Sequence, residues 1–291
     1  MSFHVLIPDN VDQAAIDLLE AEDGIRVTAP GKMSRDEAMA AIPTANALIV
    51  RSATKPDAEM IAAAPDLKII ARAGVGVDNV DLAAATEHGV IVMNTPGGNT
   101  IATAEHTFAL MLALSRHIPV AHQTMTEGRW DRKKFKGVEL RGKTLGIVGF
   151  GRIGRAVAMR AMAFQMKVIE FDPFVDAKDA ADFGVTSVTL DELYAQSDYI
   201  TLHTVITDET REMINAESLA KMKMGVRIVN AARGALINPD DLAAALQEGR
   251  VAGAALDVYQ VEPPAAGHPL IGADNVVHTP HLAASTAEAQ V

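Results

Sequence analysis

The sequence predicts an α/β protein built from two doubly wound parallel-sheet domains, and three observations predict it. Short β-branched runs alternate with Ala-rich stretches of helical period, the pattern of parallel strands joined by crossover helices. The length of 291 residues favours two domains, at roughly 100–200 residues each. A turn-rich break, Asn94-Thr95-Pro96-Gly97-Gly98-Asn99, separates two such series and reads as a hinge.

In the first series the expected strands are Phe3–Pro8, Ile25–Ala29, Asn46–Arg51, Lys68–Ala73 and Val90–Asn94. The helices between them are Val11–Glu22, Ser34–Ile42, Asp57–Ala64 and Val80–His88. Ser34 with Glu37 makes a capping box, and Gly89 ends the fourth helix. These elements make a domain of about a hundred residues, a typical size. Past the hinge a long helix is expected over Thr100–Arg116, then a loop rich in Arg and Lys over Arg129–Lys136. The second, larger series has strands at Thr144–Phe150, Lys167–Asp172, Asp198–His203, Val226–Asn230, Gly253–Val258 and Asn275–Thr279.

Composition narrows the function. A hydrophobic fraction of 49% with 22% charged residues is that of a folded globular chain. Aromatics are 4%, so the cores are built from Ala, Val, Ile, Leu and Met. The absence of cysteine excludes a disulfide scaffold, a cysteine zinc site, an iron–sulfur cluster and a cysteine nucleophile. It is compatible with a reducing cytoplasm, the expected location, and no metal site is expected. The N-terminal apolar run lacks a basic flank and stops at Pro8, unlike a signal peptide. The apolar stretch Phe108–Leu114 is too short to cross a bilayer. A formal net charge of −11 disfavours nucleic acid and anionic membrane as partners. An anionic substrate would need positive charge concentrated locally.

The first chemical signal is Gly149-Phe-Gly151-Arg-Ile-Gly154, directly after a strand and opening a helix. Gly149 allows the tight turn, Gly151 the approach of backbone to a pyrophosphate, and Gly154 close helix–strand packing. The helix N-terminus offers N–H groups and a positive dipole end to phosphates. Asp172 ends the next strand about where a ribose-binding acid is expected, roughly 20 residues on. A carboxylate there accepts from the 2′-hydroxyl and repels a 2′-phosphate, favouring NAD over NADP. The bland reading of the loop is a tight strand–helix turn. The second domain is therefore expected to be a Rossmann-type dinucleotide-binding domain.

The second signal is Arg233, Glu262 and His281, each following one of three late strands. Residues beyond the carboxyl ends of neighbouring parallel strands converge on the ligand crevice. A guanidinium can hold a carboxylate and polarise a carbonyl. An imidazolium can protonate the carbonyl oxygen, and a neighbouring carboxylate keeps it charged and oriented. Spacing alone leaves open a surface ion pair, a solvated turn and a structural histidine. His203 ends a strand facing the same crevice, where catalysis is the lesser reading.

Several long motifs occur in order: Arg72-Ala-Gly-Val-Gly-Val-Asp-Asn-Val-Asp81, Asn94-Thr-Pro96, Trp130-Asp-Arg-Lys-Lys-Phe135, Asn230-Ala-Ala-Arg-Gly234, Ala254-Ala-Leu-Asp-Val258 and Pro280-His-Leu-Ala-Ala-Ser-Thr286. Together they make the chain resemble the D-isomer-specific 2-hydroxyacid dehydrogenases over nearly its whole length. The Arg72–Asp81 and Trp130–Phe135 segments resemble the branch that oxidises 3-phospho-D-glycerate to 3-phosphohydroxypyruvate with NAD, the first step of serine biosynthesis. The resemblance implies Arg233, Glu262 and His281 as catalytic residues. It implies Arg152, Ile153, Asp172, Thr204, Ala231 and Asp257 as cofactor contacts, with Asp257 near the nicotinamide carboxamide. It further implies a substrate-binding domain over 1–97, returning at 284–291 as the start of a closing helix, with an NAD-binding domain over 98–283 inserted in it. Family dimers form through the long helix and loop around residues 100–140, so a homodimer or a higher homo-oligomer is expected. Family members continue through that closing helix, and the phosphoglycerate branch often adds a serine-sensing domain. The sequence is thus expected to be a truncated core or incomplete.

For a phosphorylated 2-hydroxy acid, Gly74-Val75-Gly76 follows a strand end, so its N–H groups can form an anion nest, with Val75 and Gly76 as contacts. Arg51 and Ser52 also follow a strand end, and a surface charge is the alternative for Arg51. Arg132 lies in the densest basic run, Arg132-Lys133-Lys134, where a solvated loop is equally consistent. Within the family a glyoxylate or hydroxypyruvate reductase is the alternative. An NAD-sensing corepressor is a third reading, with no peptide groove suggested.

Overall fold

Strands that are apolar on both faces need helices above and below them, and the computed structural model, which describes residues 2–290, has that arrangement twice. The chain divides into two units, Met1–Asn99 with Thr286–Val291, and Thr100–Ser285.

In the first unit the order is β1 (Phe3–Leu6), α1 (Gln13–Glu20), β2 (Ile25–Thr28), α2 (Arg35–Ala41), β3 (Ala47–Val50), α3 (Ala58–Ala62), β4 (Ile69–Arg72), α4 (Leu82–Glu87) and β5 (Ile91–Asn94). The strands pair in parallel in the order β2-β1-β3-β4-β5. Side chains alternate across this sheet: Val5, Ile7 and Ala47 pack on one face, Leu6, Leu48 and Val50 on the other. Helix starts are set by side-chain caps. Ser34 and Glu37 form the expected capping box, and Asp57 and Asp81 accept from the third helical N–H of α3 and α4. Gly89 follows α4 at φ 67°, a left-handed stop that glycine adopts without cost.

The second unit runs α5 (Thr100–Ser115), α6 (Ile118–Thr126), β6 (Thr144–Val148), α7 (Arg152–Ala163), β7 (Lys167–Phe171), α8 (Ala177–Asp182), β8 (Thr186–Ser187), α9 (Leu190–Gln196), β9 (Tyr199–Leu202), α10 (Ala216–Lys221), β10 (Val226–Asn230), α11 (Pro239–Gln247), β11 (Val251–Leu256) and β12 (Val276–His278). Its parallel sheet has the order β12-β11-β10-β9-β6-β7-β8. Phe108, Met111 and Leu114 of α5 pack with Val157 and Ala161 of α7 on one face. Leu193, Leu219 and Leu242 bring α9, α10 and α11 to the other. The order reverses at β6, which lies between β9 and β7. Such a switch point is where open α/β sheets bind ligands, beyond the strands' carboxyl ends. The short α12 (Ala287–Gln290) falls back in the first unit.

The sequence expectations need five corrections. Most strands end one or two residues early; Pro8, for instance, lies past β1, and proline has no N–H for the ladder. Helix α6 occupies a stretch for which no element was predicted, entered through His117 at φ 54° with a proline in its first turn. The expected loop Arg129–Lys136 holds a 3₁₀ turn at Arg132–Lys134. The edge strand β8 was not expected, and β11 starts at Val251 instead of Gly253.

Candidate active site

The three polar candidates of the second unit sit after three adjacent strands: Arg233 after β10, Glu262 after β11 and His281 after β12. Buried Asn230 shapes the first turn, donating from Nδ2 to the Arg233 carbonyl at 2.8 Å and accepting from the Ala232 N–H at 3.0 Å. The next residue, Gly234, lies so close to the Tyr259 backbone that a Cβ would overlap it. That contact sets the Arg233 turn against the Tyr259–Glu262 turn, which a larger residue would force apart. The Arg233 guanidinium donates from Nη1 to the Ala232 carbonyl at 2.7 Å.

Glu262 accepts from the Tyr259 N–H at 3.0 Å through Oε1, and its Oε2 lies 2.7 Å from His281 Nδ1. His281 is itself held at φ 55° by its N–H bond to the Asp257 carbonyl at 2.8 Å. The two side chains keep 43% and 36% of their surface, so a small substrate can reach them. The hydrogen bond and charge of Glu262 push the His281 pKa up against burial, and Arg233 pushes it down. Burial works against the Glu262 carboxylate, but His281 and the Tyr259 N–H hold it below its ordinary value. Glu262 thus favours the imidazolium form of His281 and occupies its Nδ1.

Beneath His281 lies Asp257, fully buried. It accepts from Thr279 Oγ1 at 2.6 Å, the Leu282 N–H at 2.7 Å and the Ala283 N–H at 2.9 Å, with His106 Nε2 at 3.2 Å. Burial opposes its charge, and these donors more than offset that, keeping the carboxyl below its usual range. The carboxylate expected to face a carboxamide is therefore enclosed by its own chain, where it orients the His281 segment. Sequence reasoning missed His106, which reaches Asp257 from α5, and Tyr259, whose hydroxyl meets His278 Nδ1 at 2.9 Å. Only an Asp-then-polar pattern at the β11 and β12 ends could have hinted at such a cluster. His203 is different: burial takes its pKa down to about 3, so it stays neutral, bonded through Nε2 to Thr201 Oγ1 at 2.9 Å.

The glycine loop follows β6, beside the switch point. Gly149, at φ 92°, sits against the His203 carbonyl, where a Cβ would come within 2.6 Å. Gly154 packs on the Gly149 carbonyl, and a Cβ there would overlap it. At Gly151 a Cβ would meet nothing within 4 Å, so this face of the loop is open. Asp172, after β7, accepts from the loop's Phe150 N–H at 2.9 Å and from the Phe174 N–H at 2.9 Å. Arg152 and Ile153 open α7, and Thr204 and buried Ala231 follow β9 and β10. An open glycine loop at a helix N-terminus, with a carboxylate fixed at its rim, fits a dinucleotide.

In the first unit, Arg51 and Ser52 follow β3, and Val75 and Gly76 follow β4. Arg51 donates from Nη1 to the Asn10 carbonyl at 3.2 Å. The Val75 carbonyl accepts from Asn94 Nδ2 at 2.6 Å. Arg132 lies in the second unit, exposed, in the 3₁₀ turn next to the Lys134–Asp131 ion pair of 3.2 Å. Among the described residues no group of three or more His, Asp or Glu side chains is placed to hold a metal ion. No helix among them is long and apolar enough to cross a membrane.

Residues 108–283 match the model of the D-isomer specific 2-hydroxyacid dehydrogenase NAD binding domain. The chain is 52% identical over 287 residues to D-3-phosphoglycerate dehydrogenase of Archaeoglobus fulgidus, covering 99% of this chain and 54% of that protein. It is 49% identical over 290 residues to hydroxypyruvate reductase of Thermotoga maritima, covering 99% of this chain and 94% of that protein. A crystal structure of a glyoxylate reductase from Paecilomyes thermophila superposes with a TM-score of 0.89 at 34% identity, covering 99% of this chain and 91% of that one. The chain spans about half the length of the phosphoglycerate dehydrogenases that it matches.

Proposed function

The chain belongs to the D-isomer specific 2-hydroxyacid dehydrogenase family, and from that premise we propose that it oxidises 3-phospho-D-glycerate to 3-phosphohydroxypyruvate with NAD. The observation that carries the chemistry is the 2.7 Å pair of His281 and Glu262 on strand ends next to that of Arg233. In oxidation, neutral His281 accepts the hydroxyl proton at Nε2 as the C–H bond is broken, and Glu262 stabilises the imidazolium that results. In reduction the same imidazolium returns the proton to the carbonyl oxygen. Arg233 binds the substrate carboxylate and polarises the carbonyl.

Bound NAD would supply the hydride carrier. Gly149, Gly151, Arg152, Ile153 and Gly154 would hold its pyrophosphate, Asp172 its adenosine ribose, and Thr204 and Ala231 its flank. Asp257 acts through the His281 segment. In the first unit, the substrate-binding domain of this reading, Val75 and Gly76 bind the carboxylate, and Arg51 with Ser52 takes the phosphate. Arg132 serves the phosphate as a second cation. The exposed apolar side chains Trp130, Val120, Met125 and Ile118 support a homodimer through the 100–140 region.

Steady-state turnover of NADH against phosphohydroxypyruvate, hydroxypyruvate, glyoxylate and pyruvate tests the assignment. A clear kcat/KM preference for phosphohydroxypyruvate is expected. Preference for hydroxypyruvate or glyoxylate would move the chain to the reductase reading, which the Thermotoga maritima relative favours because the match spans 94% of its length.

A further inference from the structure

Three neighbouring strand ends in the first unit meet at one turn. The sheet order places β3 between β1 and β4. Asp9 follows β1, the Arg51–Thr54 turn follows β3, and Asn79 lies in the segment after β4. Asp9 is 4% exposed. Its Oδ2 accepts from the Arg51 N–H at 2.6 Å and the Thr54 N–H at 3.2 Å, and its Oδ1 accepts from Thr54 Oγ1 at 2.6 Å. From the other side, Asn79 Nδ2 donates to the Arg51 carbonyl at 2.7 Å and to the Thr54 carbonyl at 2.7 Å. A carboxylate thus takes the donors, and an amide takes the acceptors, of the same two residues. Ser52 and Ala53 stand exposed between them.

Asn79 also belongs to the segment that carries Val75 and Gly76. That segment is fixed at its far end, where the Val75 carbonyl accepts from Asn94 and the Gly74 carbonyl accepts from the Thr95 N–H at 3.1 Å. We propose that Asp9 and Asn79 are positioning residues that clamp the Arg51–Thr54 turn and tie it to Val75–Gly76 as one anion-binding platform. This rests on reading those two segments as substrate-binding. The physical reason is preorganisation: a turn whose N–H and C=O groups are already paired loses little conformational freedom when an anion binds it. The two positions are not interchangeable. A carboxylate at 79 would face two carbonyl oxygens, and an amide at 9 would keep the Thr54 hydroxyl only by donating to it and would lose the charge that strengthens the Arg51 and Thr54 N–H bonds.

The test uses the full chain with NADH and phosphohydroxypyruvate, comparing wild type, Asn79→Ala, Asn79→Asp, Asp9→Asn and Arg51→Ala. Amide hydrogen exchange of peptides covering residues 51–54 is read alongside. Asn79→Ala and Asp9→Asn should raise KM by roughly ten- to a hundredfold with kcat within about twofold. Exchange at 51–54 should speed up, and Asn79→Asp should be worse than Asn79→Ala. Amide exchange of peptides covering β2 and β5, in the same unit, should not move and reports that each variant is folded; if Asn79→Ala fails to fold, the near-isosteric Asp9→Asn carries the comparison. Unchanged exchange at 51–54 would overturn the clamp. So would an unchanged KM in the clamp variants where Arg51→Ala raises it. If Arg51→Ala also leaves KM unchanged, the substrate reading of the turn falls, and the platform falls with it.

Discussion

His281 Nδ1 and Glu262 Oε2 lie 2.7 Å apart, although the two residues follow different strands. This single contact occupies Nδ1, so that in the proposed reaction Nε2 is the nitrogen for the substrate oxygen, and it favours the charged ring to higher pH than in a free histidine. Two consequences are measurable.

Glu262→Gln should move the pH profile. In reduction the active form is the imidazolium, so activity falls as pH rises through the His281 pKa. Glu262 holds that pKa up, so its removal should bring the fall to lower pH. In oxidation the neutral ring is active, and the rise in activity should likewise begin at lower pH. Coincident profiles for wild type and variant would break the pairing.

His281→Ala should lower kcat by roughly 10²–10⁴, because it removes the proton carrier. None of the loop contacts around Gly149 or Asp172 involves His281, so NADH affinity measured by fluorescence titration should stay nearly intact. A parallel loss of NADH binding would mean that His281 supports the cofactor site instead.

Asp172→Ala should weaken NAD and relax discrimination against NADP. The carboxylate is fixed by the Phe150 and Phe174 N–H groups at 2.9 Å each, so its charge is oriented before any ribose arrives. Its loss removes both a ribose acceptor and the repulsion of a 2′-phosphate. The ratio of kcat/KM values for the two cofactors measures this directly, and an unaltered ratio would remove Asp172 from that role.

Arg51→Ala and Arg132→Ala should each raise KM for phosphohydroxypyruvate by roughly ten- to a hundredfold, since a charge-assisted bond is worth about 1.5–3 kcal/mol. Hydroxypyruvate, which lacks the phosphate, should be almost unaffected. Added salt should weaken the phosphorylated substrate more steeply. Equal losses on both substrates would assign these arginines to the fold or to subunit association.

The sheets were legible because buried parallel strands write themselves as short β-branched runs, such as Ala47–Val50 and Val226–Asn230, bounded by capping residues and glycine. Helix α6 was not, because Ile118, Val120 and Met125 face outward and give no inward apolar stripe. Strand β8 is only two residues long, too short to carry a period. In the site, Arg233, Glu262 and His281 could be found because each follows a strand end. His106 could not, because its partner Asp257 lies 151 residues away and only the packing of α5 on β11 brings them together.

Asp257 joins stability to catalysis. Its buried carboxylate accepts from the hydroxyl of Thr279, from the N–H groups of Leu282 and Ala283, and from His106. Asp257→Asn keeps the shape but turns an NH₂ towards donors, leaving at least one buried N–H unpaired at a cost of about 1–3 kcal/mol. The donors also hold the carboxyl below its ordinary pKa despite burial. A lowered folded-state pKa means that the extra stability is fully present above the unfolded value, about 3.9, and is lost as pH falls through the folded one. The difference in urea midpoint between wild type and Asp257→Asn should therefore be flat near neutral pH and shrink on acidification below about pH 4. Because the Asp257 carbonyl and carboxylate both anchor the segment around His281, kcat should fall in the same variant. A difference in midpoint that ignores pH would show that the lost stability is packing and not charge, and an unchanged kcat would separate Asp257 from the positioning of His281.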